Sequence, residues 1–122
     1  LADIDLLILL SDLQLKLPVP PIIKKQETKA EDAHTVRVKW NEIKKEDQNG
    51  LILRYEVSYK ENGTEKVLGF NITKTNTIIT DLKPLTSYCI QVRGFTSVGK
   101  SPLSPCFHVQ TLDKGMPSLN LV

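Results

Sequence analysis

The sequence predicts an all-β domain of six or seven antiparallel strands folded as a sandwich. Three observations predict it. Apolar and polar residues alternate over several short stretches, turn residues separate those stretches at regular intervals, and no long helical period appears after residue 20. A chain of 122 residues holds one domain with its own core and is too short for two ordinary ones.

The strands follow in order. From His34 to Trp40, Val36, Val38 and Trp40 share one face, and Arg37 and Lys39 the other. A polar stretch then closes on Asn49-Gly50, residues that accept positive backbone angles. Leu53, Tyr55, Val57 and Tyr59 form the next apolar face, opposite Arg54, Glu56, Ser58 and Lys60. Asn62-Gly63 reads as a hairpin turn into a weaker strand over 65–72, interrupted by Gly69. Thr77 to Leu82 alternates with Ile78, Thr80 and Leu82 on one face. Thr86 to Thr96 places Tyr88, Ile90 and Val92 inward, and Cys106 to Thr111 supplies the last strand.

The first residues follow another pattern. Leu13, Leu15 and Leu17 alternate like a strand, residues 1–12 also suit a short helix, and the prolines at 18, 20 and 21 suggest a domain boundary. The expected organisation is a linker or the end of a preceding domain over 1–18, one domain over 19–112, and a C-terminal linker over 113–122.

Composition excludes several function classes. Hydrophobic residues make up 40% and charged residues 25%, with 16 basic against 14 acidic side chains and a net charge of +2. That balance argues against a nucleic-acid binder, which concentrates basic residues on one face. No apolar run approaches the roughly 20 residues of a membrane helix, the longest being LLILL at 6–10. Any membrane anchor of a parent protein is expected outside this stretch.

No catalytic set is visible. His34 and His108 lack metal-ligand spacing to the cysteines, and no glycine-rich phosphate loop, nucleophile elbow or H-E-x-x-H motif occurs. The expectation is a non-enzyme without cofactor or metal. Two sequons, Asn62-Gly63-Thr64 and Asn71-Ile72-Thr73, make Asn62 and Asn71 candidate glycosylation sites.

Trp40, the Tyr55-Glu-Val57-Ser-Tyr59 pattern and residues 82–104, LKPLTSYCIQVRGFTSVGKSPLS, together resemble a fibronectin type III domain, a seven-stranded immunoglobulin-like sandwich. The resemblance covers residues 19–112. Within it Leu82-Lys-Pro84-Leu-Thr86-Ser-Tyr88 resembles the family's tyrosine corner, and Ser97 to Ser101 its loop before the last strand. Trp40, Tyr55, Leu82 and Tyr88 are the expected core, the aromatic rings buried between the sheets with their polar tips seeking partners.

Against that frame Cys89 faces out from the penultimate strand, and Cys106 begins the adjacent one, so a hairpin brings the two together. A disulfide there implies an oxidising compartment. The alternative is two free thiols in a cytosolic protein, which the sequons, the resemblance and the even cysteine count weigh against. Most fibronectin type III domains lack cysteines. Residues 88–95 with Ser101-Pro-Leu-Ser104-Pro105-Cys106 are also similar to the membrane-proximal domain of class II cytokine receptors, a family in which a disulfide links the last two strands.

The function these features imply is an extracellular or cell-surface binding and spacing module of a receptor or adhesion protein. It would present the loops at 41–50, 73–76 and 97–105 to a protein ligand or a neighbouring ectodomain. Lys100, Leu103 and Phe95 are the candidate contact residues. Phe95 is expected either to cover the disulfide or to anchor a partner. An accessory module of a secreted or cell-surface enzyme is the reading from another class.

Overall fold

The computed structural model describes residues 16–61 and 64–115, with the backbone alone for 64, 65 and 67–71. Asn62, the Asn71 side chain, and the expectations for residues 1–15 and 116–122 lie outside the described residues.

Seven strands and one short helix follow along the described chain. They are β1 (Lys29–Ala30), β2 (Val36–Lys39), α1 (Lys45–Gln48), β3 (Arg54–Glu61), β4 (Thr64–Ile72), β5 (Asn76–Ile79), β6 (Ser87–Phe95) and β7 (Phe107–Gln110). Two antiparallel sheets result, ordered β1-β2-β5 and β4-β3-β6-β7. The fold is therefore an all-β sandwich of two antiparallel sheets.

The core forms where the inner faces meet. Val36, Val38 and Trp40 from one sheet oppose Tyr55, Val57, Ile90 and Val92 from the other, and all are buried. The Trp40 and Tyr55 rings meet edge to face at 5.4 Å, and Tyr59 and Tyr88 at 6.1 Å. Such geometry sets the positive edge of one ring against the negative face of another. The Trp40 Nε1 has no hydrogen-bond partner among the described residues, so the ring contributes as an apolar body.

Two apolar positions lie on the other side from the one their alternation suggests. β5 pairs Ile79 with Val36 and Thr77 with Val38. Since both valines point inward, Ile79 is fully buried and Ile78, opposite Arg37, is 41% exposed. Leu82 still reaches the core because Asp81, at φ 60°, turns the chain after the strand ends. Leu53 lies just before β3, beyond the paired register, and is exposed, while Ile52 packs against the core instead.

Gly69 marks an irregular stretch of β4, whose pairing with β3 shifts register on both sides of Val57. Each shift places one extra residue in β4, which bends this edge strand. The polar stretch before Asn49 forms α1, which ends on Asn49 in the left-handed conformation (φ 54°) and Gly50 at φ 133°. These are backbone states that Asn and Gly adopt at low cost.

The proline stretch packs on the sandwich. Pro18 and Pro21 are fully buried, the Val19 N–H donates to the Asp47 carbonyl at 2.9 Å, and Ile23 bridges to Trp40. Proline suits such an edge, where its missing N–H leaves no ladder bond unmade.

Candidate protein-interaction surface

Antiparallel pairing throughout sends the ends of β2, β4 and β6 to one end of the sandwich, here called the apex. The connections 40–53, 73–75 and 96–106 therefore converge there. They touch: the Trp40 N–H donates to the Thr75 carbonyl at 3.0 Å, and a Cβ on Gly50 would meet Thr96 at 3.6 Å.

The 96–106 connection is held by its own chemistry. It opens with a tight turn in which the Thr96 N–H donates to the Gly99 carbonyl at 2.9 Å, and Phe95 bridges to Lys100. Pro102 and Pro105 then deprive the segment of N–H donors, so a regular ladder to β6 cannot form. Two serines replace it. The Ser101 and Ser104 N–H groups donate to the Gly94 and Val92 carbonyls, both at 2.8 Å. In return, the Gly94 and Val92 N–H groups donate to Ser101 Oγ at 3.0 Å and Ser104 Oγ at 2.9 Å. Both serines are 1% exposed. Sequence reading gives them no role, although their signal is legible: two small hydroxyl residues, each followed by proline, lying opposite alternate positions of β6.

Cys89 and Cys106 form a disulfide across a Cα–Cα distance of 5.3 Å and a sequence separation of 17. Cys89 is buried, Cys106 is exposed, and His108 sits opposite Cys89 in the β6–β7 register. The bond thus closes the chain behind the apical loop.

Phe95 does not cover the disulfide. Cys89 lies near the start of β6 and Phe95 at its end, about 20 Å apart at the usual rise per strand residue. Instead the Arg54 guanidinium lies 4.5 Å over the half-buried Phe95 ring, a cation–π contact between cross-strand partners. Lys100 is exposed and Leu103 half-buried.

The tyrosine corner sits at the opposite end. Tyr88 is 4% exposed, and its hydroxyl accepts from the Lys83 N–H at 2.9 Å. Thr111 Oγ1 closes the same corner, accepting from the Thr86 N–H at 2.9 Å and donating to the Lys83 carbonyl at 2.5 Å. Leu82 is buried beside this corner, and Trp40 and Tyr55 are buried toward the apical end.

Electrostatics are local. Glu56 and Arg93 pair at 3.3 Å on the outer face of β3 and β6, largely shielded from solvent. Burial, reinforced by the Glu42 charge, pushes the Tyr55 hydroxyl up, against a lowering hydrogen bond from the Ile43 backbone. The Lys39 side chain holds the Glu27 carboxyl below its usual range, and the His34 N–H does the same for Asp32.

Among the described residues no group of three His, Cys, Asp or Glu side chains could hold a metal ion, and no helix is long and apolar enough to cross a membrane. His34 Nδ1 lies 2.8 Å from the Leu82 carbonyl, and His108 is exposed. A groove of about 510 Å³ runs between Val19, Ile22, Ile43 and Asp47.

Comparison with known proteins agrees with this geometry. Human phosphatidylinositol phosphatase PTPRQ is 39% identical over 103 residues, covering 83% of this chain and 4% of that protein. Mouse protein sidekick-2 is 35% identical over 89 residues, 69% of this chain and 4% of that protein. Human receptor-type tyrosine-protein phosphatase F is 35% identical over 78 residues, 64% of this chain and 4% of that protein. The chain thus spans a small fraction of the length of these relatives. The solution structure of the third fibronectin III domain of human KIAA0343 protein superposes with a TM-score of 0.69 at 22% identity, over 84% of this chain and 89% of that one. The family model for the fibronectin type III domain matches residues 25–110, from before β1 to the end of β7. A match of that extent, together with the strand order and the tyrosine corner, places this chain in the fibronectin type III family.

Proposed function

We propose that this domain is a non-catalytic, extracellular protein-binding and spacing module of a membrane-anchored receptor or adhesion protein. Its apical loops meet a protein ligand. The observation that carries the reading is the convergence of three connections at one end, on a frame fixed by the Ser101 and Ser104 bonds. A rigid sandwich bearing loops at its end suits recognition better than chemistry. Lys100 is an exposed charge in these loops, bridged to the half-buried Phe95, and Leu103 is half-buried in the same connection. Asn62 and Asn71 carry glycans in this reading. Relatives named as phosphatases favour a second form of it, in which the module serves as the accessory ectodomain of a cell-surface enzyme.

Two measurements test the proposal. Protein from a secretory host should take up no alkylating agent before reduction and should carry glycan mass at Asn62 or Asn71. Two reactive thiols would remove the extracellular assignment. A multimer of the secreted domain, screened against purified cell-surface ectodomains, should lose about tenfold in affinity with Lys100→Glu, a change of about 1.4 kcal/mol, and little with Lys83→Glu at the far end. Equal losses from both variants would mean that the apex is not the contact surface.

A further inference from the structure

The near balance of charge along the sequence does not hold on every face of the fold. β2 turns Val36 and Val38 into the core, so Arg37 and Lys39 stand on the outer face of the β1-β2-β5 sheet. β1 buries Ala30 and pairs Lys29 with Arg37, which puts a third cation on that face. Neighbouring strands lie about 5 Å apart and alternate residues of one strand about 7 Å apart, so the three side chains leave the sheet from a tight triangle. A groove of about 360 Å³ opens among them, lined also by Gln26, Asn76 and a single carboxylate, that of Glu27. Lys24 and Lys25 border it where the chain turns into β1.

The carboxylates on this face are already engaged. Glu27 lies 3.5 Å from Lys24 and 3.1 Å from Lys39, and Glu31 pairs with Arg37. Lys25 and Lys29 are exposed and have no ion-pair partner among the described residues. Lys24, Lys25, Lys29, Arg37 and Lys39 thus stand against Glu27 and Glu31, a surplus of three positive charges in a chain whose net charge is +2. The nearest other acids bound the face rather than cross it. Asp32 and Asp81 lie past the ends of β1 and β5, Asp32 with its carboxylate on the His34 N–H. Glu42 lies past the end of β2, beside Tyr55 of the other sheet.

Like charges held this close repel one another, and a groove lined by one sign of charge concentrates counter-ions. Lysine offers three N–H donors, and arginine a planar fork that meets two oxygens of one anionic group. The Gln26 and Asn76 amides line the same groove as neutral donors. Because the cations run from the turn before β1 across two strands, they suit a chain of anionic groups better than a single ion. We infer that this face binds a sulfated glycan chain of the glycosaminoglycan type. Choosing sulfate esters over nucleic-acid phosphates rests on the extracellular reading, since a disulfide persists in an oxidising compartment. The cationic groove itself does not depend on that reading. The 97–105 loop joins strands of the other sheet, so a bound glycan leaves it open to a protein ligand.

The test titrates the full chain with a heparin dodecasaccharide at physiological salt. The backbone amide signals of Lys29, Arg37, Lys39 and Asn76 should shift, and affinity should fall steeply as salt rises. The Lys25→Glu, Lys29→Glu double variant disturbs neither ion pair and should lose about tenfold in affinity. Lys44→Glu, Lys45→Glu makes the same charge change at the apex and should bind nearly as the parent does. Lys29→Gln repeats the comparison without a new acid on the edge strand, and circular dichroism checks that each variant is folded. Equal losses from the two double variants, undiminished binding of the desulfated oligosaccharide, or no binding at all would overturn the proposal. Tighter binding of a DNA duplex of equal charge would also overturn it. Alkylation reports the compartment and Lys100→Glu the loops, so either of those readings can fail while the groove still binds, and the reverse.

Discussion

Tyr88 shows how much one hydroxyl can fix. Its ring fills the space beside Tyr59, and its oxygen takes the Lys83 N–H at 2.9 Å across a turn where Leu85 adopts φ 47°. A non-glycine residue at such an angle needs its surroundings to hold it. Tyr88→Phe keeps the ring and removes the acceptor. The expected loss is about 1–2 kcal/mol, the net worth of the bond plus part of the cost of an unsatisfied N–H, read as a melting temperature lowered by several degrees in circular dichroism. An unchanged melting temperature would show that water replaces the hydroxyl without penalty. The motif was readable in advance because its residue types and spacing are local.

At the scale of elements, the informative case is the segment joining β6 to β7. Proline at 102 and 105 rules out a regular strand, and the serines at 101 and 104 supply the acceptors that backbone carbonyls would have offered. Ser104→Ala leaves the N–H of the fully buried Val92 without a partner. It should cost about 1–3 kcal/mol and speed amide exchange at Val92, whereas Ser97→Ala on the exposed turn should do neither. β5 makes the complementary point. Its alternation favoured Ile78 as the inward residue, and pairing with β2 selected Ile79. Two adjacent isoleucines give no period of their own, so the partner strand decides which one is buried.

For the molecule as a whole, the disulfide and the two packed sheets share the task of stability. The bond closes a loop with a sequence separation of 17, and the chain-entropy relation assigns such a loop about 3 kcal/mol. Replacing both Cys89 and Cys106 by Ala should lower the unfolding free energy by about that amount, read as a lower guanidinium midpoint with the cooperative transition kept, because the serine bonds still hold the segment to β6. A collapsed slope or loss of the cooperative transition would show that the disulfide defines the fold rather than reinforcing it. For a domain of ordinary stability, such a loss is a sizeable share of the total.

The sequence by itself determined the fold class, the inward faces of β2 and β6, the tyrosine corner and the adjacency of the cysteines. Each depends on period or on local spacing, which a single strand or turn carries within itself. Only the tertiary structure decided that Ile79 rather than Ile78 is buried, that Leu53 stays out, and that the prolines at 18 and 21 pack on the sandwich. It also separated Phe95 from the disulfide, set it beneath Arg54, and brought Lys29 beside Arg37. Those outcomes depend on register and on which strand ends share a pole, relations between distant segments that no local pattern encodes.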